Sequence, residues 1–267
     1  IVQVVRCFED ENIVHVEGSV NPIRDIETIA IELILSDMAT LEKRRDRQQK
    51  AARSGNKDAK AENDVIDKLM PALEDGKAAR TVDLNDEEKL IAKGLFLLTT
   101  KPTIFAANVD EDSLSNPDEN PHVKAVKDFA ASENAETVVI CAKLEADLYE
   151  LAPEERAEFL KDVGVDSSGV DNLIKSAYHL LGLMSFLTAG EKEVRAWTIP
   201  IGTKAPKAAS EIHSDIERGF IRAEIVSYPD LIRVGSNNAA REQGLLRSEG
   251  KEYVMQEGDI VNFRFNV

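Results

Sequence analysis

The sequence has 267 residues, 43% of them hydrophobic and 31% charged, with a formal net charge of −16. This composition describes an ordinary globular protein of roughly one to three domains. The acidity excludes a general affinity for nucleic acid, since phosphates are repelled on average, so no DNA partner is expected, although a local basic patch can still bind RNA. No apolar run approaches the roughly 20 residues that a bilayer span needs, and no signal-peptide pattern opens the chain, so no membrane partner is expected either. Cys7 and Cys141 lie in apolar, strand-like runs and read as reduced core thiols of a cytosolic protein.

Ile1 to Phe8 reads as a strand, and a chain that begins inside a strand without a methionine is expected to have sequence ahead of it. A short His15-Val16 segment follows, then Asn21-Pro22, where proline suits a first helical turn and Asp25 and Glu27 favour its positive end. Ile26, Ile29, Ala30, Leu33, Met38 and Leu41 recur at helical spacing. The pattern then turns basic, with Lys43, Arg44, Arg45, Arg47, Lys50, Arg53, Lys57 and Lys60 against Asp46 and Asp58. Ser54-Gly55-Asn56 interrupts it, a second helical run carries Val65, Ile66, Leu69 and Leu73, and Gly76 ends that run. The pattern predicts an antiparallel helical hairpin with a basic tip.

Asp83 to Asp86 predicts a cap for a helix running to Leu98, and Lys101-Pro102 stops it before an apolar strand, Thr103 to Ala107. Pro121 opens a helix to Ser132, and Thr137 to Ile140 is a second buried strand. Strand, helix and strand at this spacing predict a parallel sheet covered by helices, an α/β class. Helices are expected from Ala152-Pro153 and over Val170 to Leu183. From about Met184 the texture changes to strands at Val194–Ile199, Phe220–Val226 and Ile260–Phe265, with one short helix over Ala208 to Arg218 and loops elsewhere. That is a small α+β domain of about 80 residues.

Asn108-Val109-Asp110-Glu111 follows the first of the two buried strands, where a P-loop GTPase carries its Asn-Lys-x-Asp base-reading loop. Glu111 replaces Asp and Val109 replaces Lys, so the carboxylate that clamps guanine N1–H and the 2-amino group sits one methylene further out. A displaced pair of charged hydrogen bonds costs a few kcal/mol, enough to abolish strict guanine preference. Cys141-Ala142-Lys143 follows the second strand, where such proteins place a Ser-Ala-Lys loop beside the base. No phosphate-binding loop accompanies these residues. Gly244 to Lys251 has the wrong glycine spacing, Glu252 after its lysine and a place in the other domain. Asp166-Ser167-Ser168-Gly169 comes after the base loop with no strand leading into it, and no catalytic residue is assigned.

Together these stretches resemble the YchF/Obg-like ATPase family, relatives of the Obg GTPases. Asn108 to Glu111 matches that family's Asn-x-x-Glu base motif, and Asn21-Pro22 with the hairpin is similar to its coiled-coil insertion. Thr188-Ala189-Gly190, Glu193 to Ile199, Ile212 to Asp215, Gly219 to Ile221 and Gly258 to Asn266 resemble its C-terminal TGS domain, a ubiquitin-like β-grasp module. The resemblance implies a fold in which residues 1–22 and 84–183 form part of a P-loop NTPase sheet, 23–83 an inserted coiled-coil hairpin and 184–267 the TGS domain. It implies a cytoplasmic ATPase that prefers ATP to GTP, uses Mg²⁺ in its complete form and binds the ribosome through rRNA or ribosomal proteins to modulate translation or a stress response. Asn108, Val109 and Glu111, with Cys141, Ala142 and Lys143 flanking, would contact adenine. The family's Walker loop, switches and magnesium ligand have no counterpart here, so the chain alone is expected to be inactive.

Arg44, Arg45, Arg47, Lys50 and Arg53 are the candidate RNA or ribosome contacts, a local excess of charge on an acidic chain that would otherwise be only a solvated surface. His15, His122, His179 and His213 lack metal-ligand spacing, so no metal site is expected; His213 reads as a packing or capping residue, Trp197 as core and Cys141 as a packed thiol. The competing reading is a nucleotide-independent adaptor that docks an RNA or protein partner through hairpin and TGS domain, with the sheet as scaffold.

Overall fold

In the computed structural model, which describes residues 1–13, 18–190 and 193–266, the first strand β1 (Val2–Arg6) leads toward a long helix α1 (Pro22–Arg53). The expected His15-Val16 segment lies outside the described residues. Asn21 caps α1 by accepting the Arg24 N–H through its side chain, with Pro22 at the first helical position. Ser54 to Asn56 reverse the chain into α2 (Lys57–Glu74), whose first amides, Asp58 and Ala59 N–H, are capped by Asn56. The two helices pack through Ile34 and Leu41 against Val65, Ile66, Leu69, Met70 and Leu73. Ile34 takes the buried place expected of Ile29, which is exposed.

Helix α3 (Asp86–Gly94) starts in a reciprocal box between Asn85 and Glu88 and stops short of the expected Leu98. The buried carboxylate of Asp37 on α1 accepts the Leu98 and Thr99 N–H groups at 2.7 Å each, claiming amides that a longer helix would use internally. Next come β2 (Ile104–Asn108), α4 (Pro121–Ser132) and β3 (Glu136–Ile140). The three strands form a parallel sheet in the order β1-β2-β3, with Arg6, Asn108 and Ile140 in register at one end. Central β2 is covered on both faces, so Ile104 to Ala107 are all buried and read as an unbroken apolar run. Three helices complete this part: α5 (Ala142–Glu150), α6 (Pro153–Asp162) and α7 (Gly169–Leu180). The expected loop over Cys141 to Lys143 is thus a helix start, and α7 ends before Leu183, where Gly182 takes a positive φ of 63°.

The chain divides into two units, Ile1–Ser176 and Ala177–Val267. The second contains β4 (Leu183–Ala189), β5 (Val194–Pro200), α8 (Ala205–Ser210), α9 (Ser214–Arg218), β6 (Phe220–Ser227), α10 (Tyr228–Val234), α11 (Asn237–Glu242), β7 (Arg247–Glu249) and β8 (Asp259–Phe265). Its mixed sheet runs β5-β4-β8-β6-β7, with β4 and β8 parallel and the other pairs antiparallel. The single helix expected over Ala208 to Arg218 is two, because His213 caps a new start by accepting the Asp215 N–H on Nδ1. Ala205, Ala208 and Ala209 let α8 approach the sheet closely over Phe186, Ile199, Ile225 and Phe263. Trp197 sits half-buried on edge strand β5 and packs against this core from its rim; its indole N–H donates to Thr188 Oγ1 at 2.9 Å and Arg195 stacks 4.2 Å from the ring centroid. No helix among the described residues is long and apolar enough to cross a membrane.

Candidate functional site

Parallel strands deliver their carboxyl ends to one edge, and here that edge is polar. Asn108 closes β2, and its backbone carbonyl accepts the Cys7 N–H at 2.8 Å. Its side-chain Oδ1 accepts the Ala142 N–H at 2.9 Å, pinning the first turn of α5 to the end of β2. No acceptor engages Asn108 Nδ2 among the described residues. Val109 donates its N–H to the Ile140 carbonyl at 2.8 Å and turns its side chain into the core with Cys7, Cys141 and Leu144. Glu111 reaches back over the gap to Lys143, with Oε1 and Nζ 2.8 Å apart. That hydrogen bond raises the Lys143 ammonium pKa.

Asn108, Val109, Glu111, Cys141 and Lys143 surround one cavity of about 340 Å³, and Ala142 lies beside it, held by Asn108. Sequence reasoning missed the opposite wall, made by Phe8, Glu9, Asp10 and Ile13. The available signal was topological: β1 runs parallel to β2, so the residues after Arg6 must emerge beside Asn108. Cys141 is buried, and burial raises its thiol pKa, which removes thiolate character and matches a packed group. Burial pushes the Cys7 thiol up to about 12. The cavity thus joins a neutral amide donor, the Lys143 ammonium and an acidic rim of Glu9, Asp10, Asp110, Glu111 and Asp112 over an apolar floor, an arrangement of hydrogen-bonding groups that suits a flat heterocycle.

The basic residues of α1 are not equivalent. Arg44 pairs with Glu62 at 3.3 Å and donates to the Gly94 carbonyl, and Arg45 pairs with Asp67, so both serve to join α1 to its neighbours. Arg47, Lys50 and Arg53 are exposed and meet no carboxylate among the described residues. Of the two rejected stretches, Ser168 and Gly169 hydrogen-bond Glu145 of α5, and Gly244 follows α11. Among the described residues no group of three or more His, Cys, Asp or Glu side chains converges to hold a metal ion.

These features define an α/β protein with a polar cavity at the carboxyl ends of a parallel sheet, followed by a mixed α+β unit. A family model described as YchF-GTPase_C, Protein of unknown function (DUF933), matches residues 183–266. Over the whole chain the sequence is 52% identical to the Ribosome-binding ATPase YchF of Bacillus subtilis and 48% identical to that of Escherichia coli O157:H7, spanning 73% of each. The solved structure of the Schizosaccharomyces pombe YchF GTPase superposes with a TM-score of 0.79 at 36% identity, covering 98% of this chain and 71% of that one. A GTP-binding protein from Pyrococcus horikoshii shares the fold, with a TM-score of 0.59 at 19% identity, over 99% of this chain and 78% of its own. The chain belongs to the YchF family.

Proposed function

We propose that this chain is the base-reading and partner-docking part of a cytoplasmic, ribosome-associated ATPase that takes ATP in preference to GTP. The observation that carries the reading is the joining of Asn108, Glu111, Ala142 and Lys143 at one cavity by the Asn108–Ala142 and Glu111–Lys143 contacts. Asn108 Nδ2 and the Glu111 carboxylate are the groups assigned to the base, with Val109 and Cys141 as apolar floor and Lys143 orienting Glu111. Relatives are named both ATPase and GTPase. Glu111 in place of Asp carries its carboxylate one methylene further out, which argues against strict guanine preference, and the ATP preference itself is proposed from the family's Asn-x-x-Glu motif. The sequence contains no Gly-x-x-x-x-Gly-Lys-Ser/Thr loop to cradle phosphates, so the chain alone is proposed to bind the base weakly and to hydrolyse nothing. Mg²⁺ is proposed to enter with the nucleotide in the complete protein, held largely by phosphate oxygens.

The proposed organisation is a nucleotide-binding part over 1–22 and 84–183, a coiled-coil hairpin over 23–83 and a TGS-type β-grasp domain over 184–267. Ribosome contact is assigned to the exposed cations Arg47, Lys50 and Arg53, with Arg44 and Arg45 holding the hairpin together. The test is Glu111→Asp in the complete protein, with ATP and GTP affinities measured by calorimetry. The ATP/GTP affinity ratio should fall about tenfold; an unchanged ratio removes Glu111 from base reading. Val109→Lys is a poor companion, because it would place an ammonium in the core. Replacing Arg47, Lys50 and Arg53 by Gln should weaken co-sedimentation with ribosomes at low salt, and full retention would return them to solvated surface.

A further inference from the structure

Arg6 is the sheet partner of Asn108, and its guanidinium grips the segment that follows β1. Nε donates to the Phe8 carbonyl at 3.0 Å, one terminal nitrogen to the Ile13 carbonyl at 3.0 Å and the other to the Asp10 carbonyl at 3.3 Å. The same group lies 4.8 Å from the centroid of the Phe8 ring. A single side chain therefore fixes three carbonyls of the wall that faces Asn108 and Glu111, with Phe8, Asp10 and Ile13 all lining the cavity. Among the described residues the wall is also held by Cys7, whose N–H reaches Asn108 and whose carbonyl accepts from Asn120 Nδ2 at 2.9 Å, by His122, whose Nε2 lies 3.7 Å from Glu9 Oε1, and by the Ile13 N–H, which donates to the Asp10 carbonyl at 3.2 Å. A short Asp10–Asn12 turn adds only a local bond within the wall.

We infer that Arg6 is a positioning residue for the base-binding cavity, setting the Phe8–Ile13 wall at the spacing a planar base requires. It touches no base itself and acts through the backbone it holds. Guanidinium is suited to the task because its planar fork can serve several carbonyls at once while stacking on an aromatic ring. Lysine, a point donor on a flexible stem, cannot reproduce all three contacts. This rests on the base-site reading of the cavity given above.

Adenosine is the probe, because a nucleoside tests the base half-site without phosphate contacts. Titrating it into the isotope-labelled chain should shift the amide resonances of residues 8–13, 108–112 and 141–143. Arg6→Lys should keep the native spectrum elsewhere yet weaken adenosine binding about fivefold, and Arg6→Ala about tenfold, the loss of two or three modest hydrogen bonds. Unchanged affinity in Arg6→Lys overturns the inference while leaving the base site standing. Global unfolding of Arg6→Lys also overturns it, because the grip would then serve the fold. Absence of adenosine shifts in the parent chain is a separate failure: it removes the base-site reading and this inference with it.

Discussion

At the carboxyl ends of the parallel sheet, Asn108, Glu111 and Lys143 stand around an open space of about 340 Å³, whereas in the mixed sheet Asp259 is buried among donors that it fully occupies. Its Oδ2 accepts the Tyr253 hydroxyl at 2.8 Å and the Gln256 N–H at 3.0 Å, and its Oδ1 accepts from Arg247 at 3.4 Å. Arg247 in turn lies 5.4 Å from the Tyr253 ring centroid. Both regions cluster acidic, basic and polar side chains, so side-chain type alone does not separate them. Saturation does. The Asp259 group is closed on itself and holds a turn in place, while Asn108 keeps its amide nitrogen uncommitted beside a cavity. Unspent hydrogen bonds facing open space are what the proposed base site requires, whereas a cluster with its bonds made serves to hold structure.

The strongest way to break this contrast is Asp259→Ala. Tyr253 Oη, the Gln256 amide and Arg247 would lose a common acceptor in a buried setting, and stability of the second unit should fall by about 2–3 kcal/mol. Trp197 is the one tryptophan of the sequence and lies in this unit, so its fluorescence during urea unfolding reports the loss directly. A midpoint unmoved within error would mean that the network is expendable and the contrast false.

Asn108→Ala should behave differently. One half-exposed bond to Ala142 is removed, at a cost of about 1 kcal/mol, while adenosine binding should drop by about tenfold. The diagnostic is the mismatch between a small change in unfolding and a large change in the titration. If stability falls as far as in Asp259→Ala while affinity holds, Asn108 belongs with the structural group.

Much of this arrangement was legible from residues alone because the signals were local. Asn21-Pro22, Asn120-Pro121 and the unbroken Ile104–Ala107 run each carry their own cap or their own burial pattern. What was not legible was set from far along the chain. Cys141 offers α5 no side-chain cap, and the group that anchors its first amide is Asn108, 34 residues earlier. The end of α3 is fixed by Asp37, 61 residues before Leu98. The Leu180 to Met184 run fits helix or strand equally, and the positive φ of Gly182 decides it. At the site, Asn108, Glu111 and Cys141 to Lys143 were recoverable from strand-end spacing, but the Phe8–Ile13 wall was not, because no short motif marks it and only the register with Asn108 brings it there.

The smallest effect separates the two units by pH. Burial raises the Cys7 thiol from 9.0 to about 12, so above pH 9 the unfolded chain sheds this proton while the native chain keeps it. The unfolded state then binds fewer protons, and stability must fall as pH rises through that window. Cys141 shifts in the same direction, and both thiols lie in the first unit. In the second unit burial, helped by the bond to Asp259, raises Tyr253 from a starting value of 10.0, so its loss begins later. Between about pH 7.5 and 9.5 the first unit should therefore lose about 0.8 kcal/mol through Cys7 alone, while the second loses about 0.2 kcal/mol or less. Hydrogen exchange of the β2 and β6 amides follows each unit separately, and Cys7→Ala should flatten most of the slope in β2. An equal decline in both strands would show that alkaline loss is not set by the thiols of the parallel sheet.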